Sequence, residues 1–100
     1  MSHFVYMVRC NDGSLYTGYT TNIEKRVSEH NGEGETKTAR SAGARYTRPR
    51  RPVVLVYSES HYTRSAALKR EAAIKKLSPT KKHALIGEQS KSDGKISNLL

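Results

Sequence analysis

The segment HFVYMVRCNDGSLYTGYT, residues 3–20, decides the fold. His3–Cys10 is rich in β-branched and aromatic residues and predicts a strand, and Leu15–Thr20 predicts its antiparallel partner. Between them, Asn11–Ser14 has the polar, glycine-containing composition of a tight turn. Because two short strands are not stable alone, a third strand is needed, and the apolar run Val53–Ser58 is predicted to supply it.

Three helices are predicted around this sheet. The first runs over residues 23–30, begins with a capping box of Thr21 and Glu24 or with Asn22 alone as its cap, and ends at Asn31-Gly32. The second begins at Thr63 or Ser65 and ends near Leu77, and the third begins at Ser78-Pro79. We expect the third helix to end at about Ile86, with Gly87 as its stop.

The resulting order, β-β-α-β-α-α, predicts a small α/β (α+β) domain with a three-stranded antiparallel sheet flanked by helices. This domain spans residues 1–86, and the polar segment 87–100 is predicted to be a disordered C-terminal tail. Residues 33–52 form a long polar connection, with a short helix expected around Thr38–Ala42. Connections of this length inside a small domain are often functional.

Composition limits the class of protein. A chain of 100 residues corresponds to one domain. The sequence contains no apolar run of the roughly 18 residues that a membrane span needs, and no secretory leader is recognisable at its start. The single cysteine, Cys10, suits a reducing compartment and is expected to be a small core residue. We therefore predict a cytoplasmic protein without membrane contact.

The net charge of +9 is unevenly distributed, and its most one-sided part lies in the long connection. Residues 36–58 contain six cations and no acidic residue. Because guanidinium groups bind phosphate oxygens in pairs, this composition predicts contact with nucleic acid; a solvated basic loop is the alternative. The candidate nucleic-acid-binding residues are Lys37, Arg40, Arg45, Tyr46, Arg48, Arg50 and Arg51, with Tyr46 as a base-stacking candidate.

Tyr6 and Tyr16 are candidates for chemistry, although two strand tyrosines could equally be packing residues. Gly18 shares a strand face with Tyr16, and glycine within a strand often marks the close approach of another group. A phenol has a pKa near 10 and is a poor base at neutral pH. A nearby arginine or metal would lower that pKa and allow a tyrosine to accept a proton from water.

The first helix contributes two further candidates, Arg26 and His30, which lie on one edge of it with Asn22. Arg26 is placed to stabilise charge on a phosphate in the transition state, or simply to cover the core with its aliphatic stem. His30 is weaker evidence, because the C-terminus of a helix favours any cation.

Glu71 is predicted to lie on the same face of the second helix as Ala67, Leu68 and Ile74. A carboxylate on an apolar face costs free energy unless it is paired or binds a metal. The sequence therefore leaves two interpretations open, an ion pair with an arginine of the basic loop or a ligand of Mg²⁺ (or Mn²⁺). Magnesium is typically held by one or two carboxylates together with waters and substrate phosphates.

Taken together, Phe4-Val5-Tyr6, Tyr16-Thr17-Gly18, Arg26 and the later Glu71 resemble the GIY-YIG nuclease superfamily. Within it, the chain is similar to the small stand-alone bacterial proteins of the UPF0213 type, and more distantly to nuclease subunits that cut branched DNA. The resemblance covers residues 3–77. Phe4 stands where the family name implies glycine, and Thr17 where it implies isoleucine.

The resemblance implies an endonuclease that hydrolyses phosphodiesters, with DNA a more favoured substrate than RNA and some preference for substrate structure. Tyr6 would be the general base assisted by Tyr16, Gly18 the strand glycine, Arg26 the phosphate-binding arginine and Glu71 the metal ligand. Superfamily nucleases usually take specificity from an added module or a partner subunit, so this chain would rely either on its own Lys37–Arg51 loop or on a partner protein. The alternative is a nucleic-acid-binding module without catalysis.

Overall fold

The computed structural model describes residues 2–32 and 46–99, with side chains as far as Gln89. Its strands are β1 (His3–Arg9), β2 (Leu15–Thr20) and β3 (Val54–His61), and its helices are α1 (Ile23–His30), α2 (Arg64–Lys75) and α3 (Pro79–Leu99). A 3₁₀ turn, Arg48–Arg50, precedes β3. The short helix expected around Thr38–Ala42 lies outside the described residues.

The three strands form one antiparallel sheet in the order β2-β1-β3, which confirms the predicted fold class. The β1–β2 register places Tyr6 opposite Gly18. β3 is longer than predicted, because its polar end, Glu59–His61, continues to pair with the start of β1. Successive residues of a β-strand point to opposite faces of the sheet. Because consecutive residues of the central strand β1 are buried, both faces of the sheet have to be covered.

α1 covers one face of the sheet. The buried residues of this face are Tyr6, Val8, Cys10 and Val53, and the partly buried Tyr16 and Val27 pack against them. Cys10 is therefore a core residue, as expected. Asn22 caps α1, since its side-chain oxygen accepts from the backbone N–H of Lys25 at 3.1 Å. Of the two predicted caps, the structure selects Asn22.

α2 and α3 cover the other face. Val5, Met7 and Tyr57 of the sheet pack with Ala67 and Ile74 of α2, and Leu85 and Ile86 of α3 complete the cluster. Leu68, predicted to face inward, is 38% exposed. It follows the fully buried Ala67 directly, and one residue corresponds to about 100° of helix rotation, which turns Leu68 away from the sheet.

Ser78 caps α3 as predicted, accepting from the backbone N–H of Lys81 at 3.3 Å. The predicted end of this helix at Ile86 is wrong, because α3 continues through Gly87 to Leu99. The side chain of Gln89 binds both backbone groups of Ser58 on the sheet edge, donating to its carbonyl at 2.7 Å and accepting from its N–H at 3.3 Å. These contacts offset the roughly 1 kcal/mol that a helical glycine costs. The predicted domain boundary at residue 86 stays a prediction.

Within the part of the chain that the structure describes, no helix combines the length and the apolar composition needed to cross a membrane.

Candidate functional site

Gly18 lets the ring of Tyr6 lie across β2. A Cβ atom built on Gly18 would stand 2.4 Å from the Tyr6 hydroxyl oxygen and 2.6 Å from Cζ, far inside ordinary contact distance. The side chain of Tyr6 is almost completely buried, at 1% exposure. Glycine at position 18 therefore serves to aim the Tyr6 hydroxyl towards the end of α1.

The Tyr6 hydroxyl lies 2.6 Å from Nε2 of His30. His30 is fully buried, and its other ring nitrogen, Nδ1, lies 2.8 Å from the hydroxyl oxygen of Thr47. Each ring nitrogen of His30 therefore lies within hydrogen-bond distance of a hydroxyl group. Burial, with the charges of Arg26 and Arg51, lowers the pKa of His30 to about 4, so its imidazole is neutral at pH 7.

A neutral His30 does not supply positive charge at the C-terminus of α1. Arg51 takes that role instead, since its guanidinium donates to the backbone carbonyl oxygens of His30, at 2.5 Å, and Glu29, at 3.4 Å. Gly32, at a φ of +68°, gives the guanidinium room: a Cβ there would stand 2.6 Å from it. Arg51 therefore holds the end of α1 that carries His30.

Burial raises the pKa of Tyr6 to about 12. The guanidinium of Arg26 opposes this rise through its hydrogen bond and charge, whereas Tyr16 and the Glu71 carboxylate add to it. Three candidate residues thus act electrostatically on the hydroxyl of a fourth. With such a pKa the hydroxyl stays protonated at neutral pH, so it can accept a proton from water only if it passes its own proton to a partner.

Arg26 is held only loosely by its own helix. Its guanidinium lies 3.5 Å from the Glu29 carboxylate, and both side chains are roughly 30% exposed. A helical ion pair of this kind contributes only about 0.3–0.5 kcal/mol. An anion that reached the Tyr6 hydroxyl could therefore compete for Arg26 at little cost.

Tyr16 lies next to the buried Tyr6–His30 pair. Its ring packs edge-on against His30, with centroids 5.2 Å apart, and stacks on Tyr46 at 6.1 Å. The Lys75 ammonium lies 5.9 Å from the Tyr16 ring centroid. Tyr16 therefore joins the buried part of the site, formed by β1 and α1, to α2.

Tyr46 and Arg50 support Tyr16. The Arg50 guanidinium lies 4.0 Å from the ring centroid of Tyr46, donates to the Tyr46 carbonyl at 2.8 Å and pairs with Asp12 at 3.0 Å. Of the predicted nucleic-acid-binding residues, Arg50 and Arg51 thus make internal contacts, and Arg48 is exposed. Lys37, Arg40 and Arg45 lie outside the described residues. Nucleic-acid contact by this set, and base stacking on Tyr46, stay predictions.

Glu71 reaches the same end of the site. Its carboxylate is 19% exposed and lies 3.6 Å from the Lys75 ammonium, an i,i+4 pair within α2. Among residues 2–32 and 46–99, no cluster of three or more histidine, cysteine, aspartate or glutamate side chains could hold a metal ion. Within this described part of the chain, the candidate donor set is therefore the Glu71 carboxylate alone, which would suit a Mg²⁺ ion whose other ligands are waters and substrate oxygens.

A family model matches most of the chain. Residues 2–84 match the model described as the GIY-YIG catalytic domain. The chain belongs to the GIY-YIG family. A UPF0213 protein of Desulfotalea psychrophila is 56% identical over 88 residues, which cover 88% of this chain and 74% of the relative. A UPF0213 protein of Staphylococcus aureus is 52% identical over 88 residues, covering 88% and 98% of the two chains.

Two solved structures are similar to this GIY-YIG chain. The solution structure of a protein from E. faecalis is 42% identical, has a TM-score of 0.56 and covers 89% of this chain and 88% of its own. That of a UPF0213 protein from Bacillus halodurans is 39% identical, has a TM-score of 0.52 and covers 87% and 84%.

Three residues position the candidate site in ways that the sequence did not indicate: Thr47 was not singled out, Arg51 was assigned to nucleic acid, and Asn31 was assigned only to the end of a helix. Thr47 contacts His30, Arg51 holds the end of α1, and Asn31 binds both backbone groups of Val53, at 2.7 and 3.1 Å. Asn31-Gly32 was identifiable only as a helix end. No sequence signal distinguishes Thr47 or Arg51 within the basic connection.

Proposed function

We propose that this GIY-YIG domain is a metal-dependent endonuclease that hydrolyses phosphodiester bonds in DNA. The observation that carries the proposal is the 2.6 Å contact between the Tyr6 hydroxyl and Nε2 of a buried, neutral His30. A neutral imidazole has one nitrogen that accepts a hydrogen bond. In the tautomer that carries its proton on Nδ1, His30 donates to Thr47 and Nε2 accepts the proton of Tyr6; this tautomer is part of the proposal.

This pair solves the difficulty of a phenol whose pKa is raised to about 12. As a water oxygen attacks phosphorus, Tyr6 accepts the proton of that water while its own proton passes to Nε2 of His30. The P–O bond to the leaving group then breaks, the leaving oxygen takes a proton from solvent, and His30 returns its proton to solvent. Tyr6 thus never has to exist as a free phenolate.

Arg26 has two roles in this scheme. Its guanidinium binds the phosphate and stabilises the charge that develops on its oxygens. Its charge also contributes to the low pKa of His30. A phosphate bound to Arg26 offsets that charge, so the substrate itself makes His30 a better proton acceptor. Tyr16 packs against His30 and keeps the imidazole in place.

Glu71 would hold the divalent ion, Mg²⁺ or Mn²⁺, which when bound supplies positive charge at the scissile phosphate. The Glu71 carboxylate is paired with the Lys75 ammonium in the structure. The side chain of Lys75 is 50% exposed, so it can move away when a metal ion binds. The proposed substrate is DNA rather than RNA. A partner protein contributes specificity, and the protein acts in the cytoplasm.

A binding module without catalysis is the second candidate, and the raised pKa of Tyr6 favours it, since an unassisted phenol of this kind would not react. Cleavage assays separate the two candidates. Labelled single-stranded, duplex, flap and branched DNA, with matching RNA, are incubated with Mg²⁺ or Mn²⁺ and with EDTA. The proposal expects metal-dependent cleavage that Glu71→Gln abolishes while nucleic-acid binding remains. Salt-sensitive binding without any cleavage would reject it in favour of the binding module.

A further inference from the structure

A shallow groove with a volume of about 620 Å³ runs along the outer flank of α2. It is lined by Arg64, Ser65, Leu68, Lys69 and Ala72. Leu68 is 38% exposed, and Ala72 is also exposed, so the floor of the groove is apolar. Arg64 and Lys69 add two exposed cations to it. An apolar floor bordered by cations is unlike the mixed charge of an ordinary solvated helix face.

The groove lies on the flank of α2 that is next to Glu71 and Lys75. At about 100° of rotation per residue, Arg64 lies about 20° around the helix from Glu71, Leu68 about 60° and Ala72 about 100°. Lys75 lies about 40° from Glu71 on the same side. Its ammonium lies 3.6 Å from the Glu71 carboxylate and 5.9 Å from the Tyr16 ring centroid. One flank of α2 therefore runs from the candidate site into the groove.

The charge of this part of the chain fits a polyanion. Residues 64–76 contain five lysine and arginine residues and one acidic residue, Glu71. The sequence reasoning assigned nucleic-acid contact to the basic connection and left these cations without a role. Because the groove continues from a candidate phosphate site, a chain of phosphates is a better match to it than an acidic protein surface.

We propose that this groove binds the sugar–phosphate backbone of the nucleic-acid strand next to the scissile phosphate, an inference that rests on the nuclease function proposed above. Arg64 and Lys69 are five residues apart, about 7.5 Å along the helix axis. That axial distance equals roughly two nucleotide steps of one duplex strand, at 3.4 Å per nucleotide along the duplex axis. Leu68 and Ala72, whose positions around the helix fall between those of Arg64 and Lys69, contact the apolar faces of the sugars.

Binding measured without turnover tests this surface. Fluorescence anisotropy is followed with a fluorescein-labelled DNA oligonucleotide, single-stranded and duplex, in EDTA at several KCl concentrations. Arg64→Gln/Lys69→Gln removes the two groove cations, and Lys81→Gln/Lys82→Gln removes the same charge from the start of α3. Leu68→Glu places a carboxylate in the groove, and Ala66→Glu places one on the opposite flank of the same helix. Thermal unfolding confirms that each variant is folded.

The groove variants are expected to bind about tenfold more weakly than the parent, and the α3 and Ala66 variants within about threefold of it. The slope of log Kd against log salt should fall in magnitude by about 1 to 2 in Arg64→Gln/Lys69→Gln. If the parent binds DNA and the groove variants match their controls, the groove assignment is overturned while the nuclease proposal stands. A parent that neither binds nor cleaves nucleic acid overturns both. A labelled poly-glutamate peptide that binds as tightly as DNA, with the same loss in the groove variants, overturns the choice of nucleic acid.

Discussion

Gly18→Ala tests the arrangement of the site without removing any chemical group. The new Cβ would stand 2.4 Å from the Tyr6 hydroxyl oxygen, where ordinary contact begins at 3.4 Å, so the hydroxyl has to move by about 1 Å. The Tyr6 ring is buried, and its hydroxyl makes a 2.6 Å contact with His30 that such a displacement breaks. A misplacement of about 1 Å in a catalytic group can cost about 10²-fold in rate.

We therefore expect Gly18→Ala to lower the cleavage rate by about 10²-fold and the free energy of unfolding by about 1–3 kcal/mol, the cost of overpacking a core. The assays are single-turnover cleavage of a labelled oligonucleotide and urea unfolding. Gly87→Ala is the matched control, since a Cβ there meets nothing within 4 Å. It should cleave at the parental rate and gain up to about 1 kcal/mol in stability. Parental cleavage by Gly18→Ala would refute the reasoning.

Two further predictions concern the residues that hold the site. Asn31→Ala removes both side-chain hydrogen bonds to Val53 and should lower the free energy of unfolding by about 2 kcal/mol in urea titrations; a change below about 0.5 kcal/mol would contradict the role assigned to it. The pKa of His30 is lowered from 6.5 to about 4, so between these pH values the unfolded state binds more protons than the folded state. The free energy of unfolding should therefore fall as the pH drops through this window, by up to about 3 kcal/mol. Unfolding curves of His30→Gln at each pH should lack this loss, and a slope equal to that of the parent would show that His30 is not held neutral.

Sequence patterns were sufficient where the determinants are local. The β-hairpin, the bounds of α1 and the Ser78 cap follow from residues within a few positions of one another. The approach of Tyr6 to Gly18 was also partly visible, because a glycine within a strand indicates close contact. These features could be predicted because propensity, alternation and capping agree there.

The remaining features depend on contacts between distant residues. His30 and Thr47 are 17 positions apart, and nothing in the basic connection indicates which hydroxyl reaches the imidazole. The full burial that makes His30 neutral is likewise a property of the packed domain. The continuation of α3 beyond Gly87 involves the contact of Gln89 with Ser58, 31 positions away. Local propensity contains no information on such contacts.

The central claim is that Tyr6 activates water with His30 as its proton acceptor. Tyr6→Phe keeps the buried ring and removes only the hydroxyl that contacts Nε2. Its single-turnover cleavage of the oligonucleotide cut best by the parent, with Mg²⁺ present and folding verified by urea unfolding, is the most direct measurement. The account predicts a rate at least about 10²-fold below that of the parent, with DNA binding within about threefold. Cleavage within about threefold of the parental rate would contradict it.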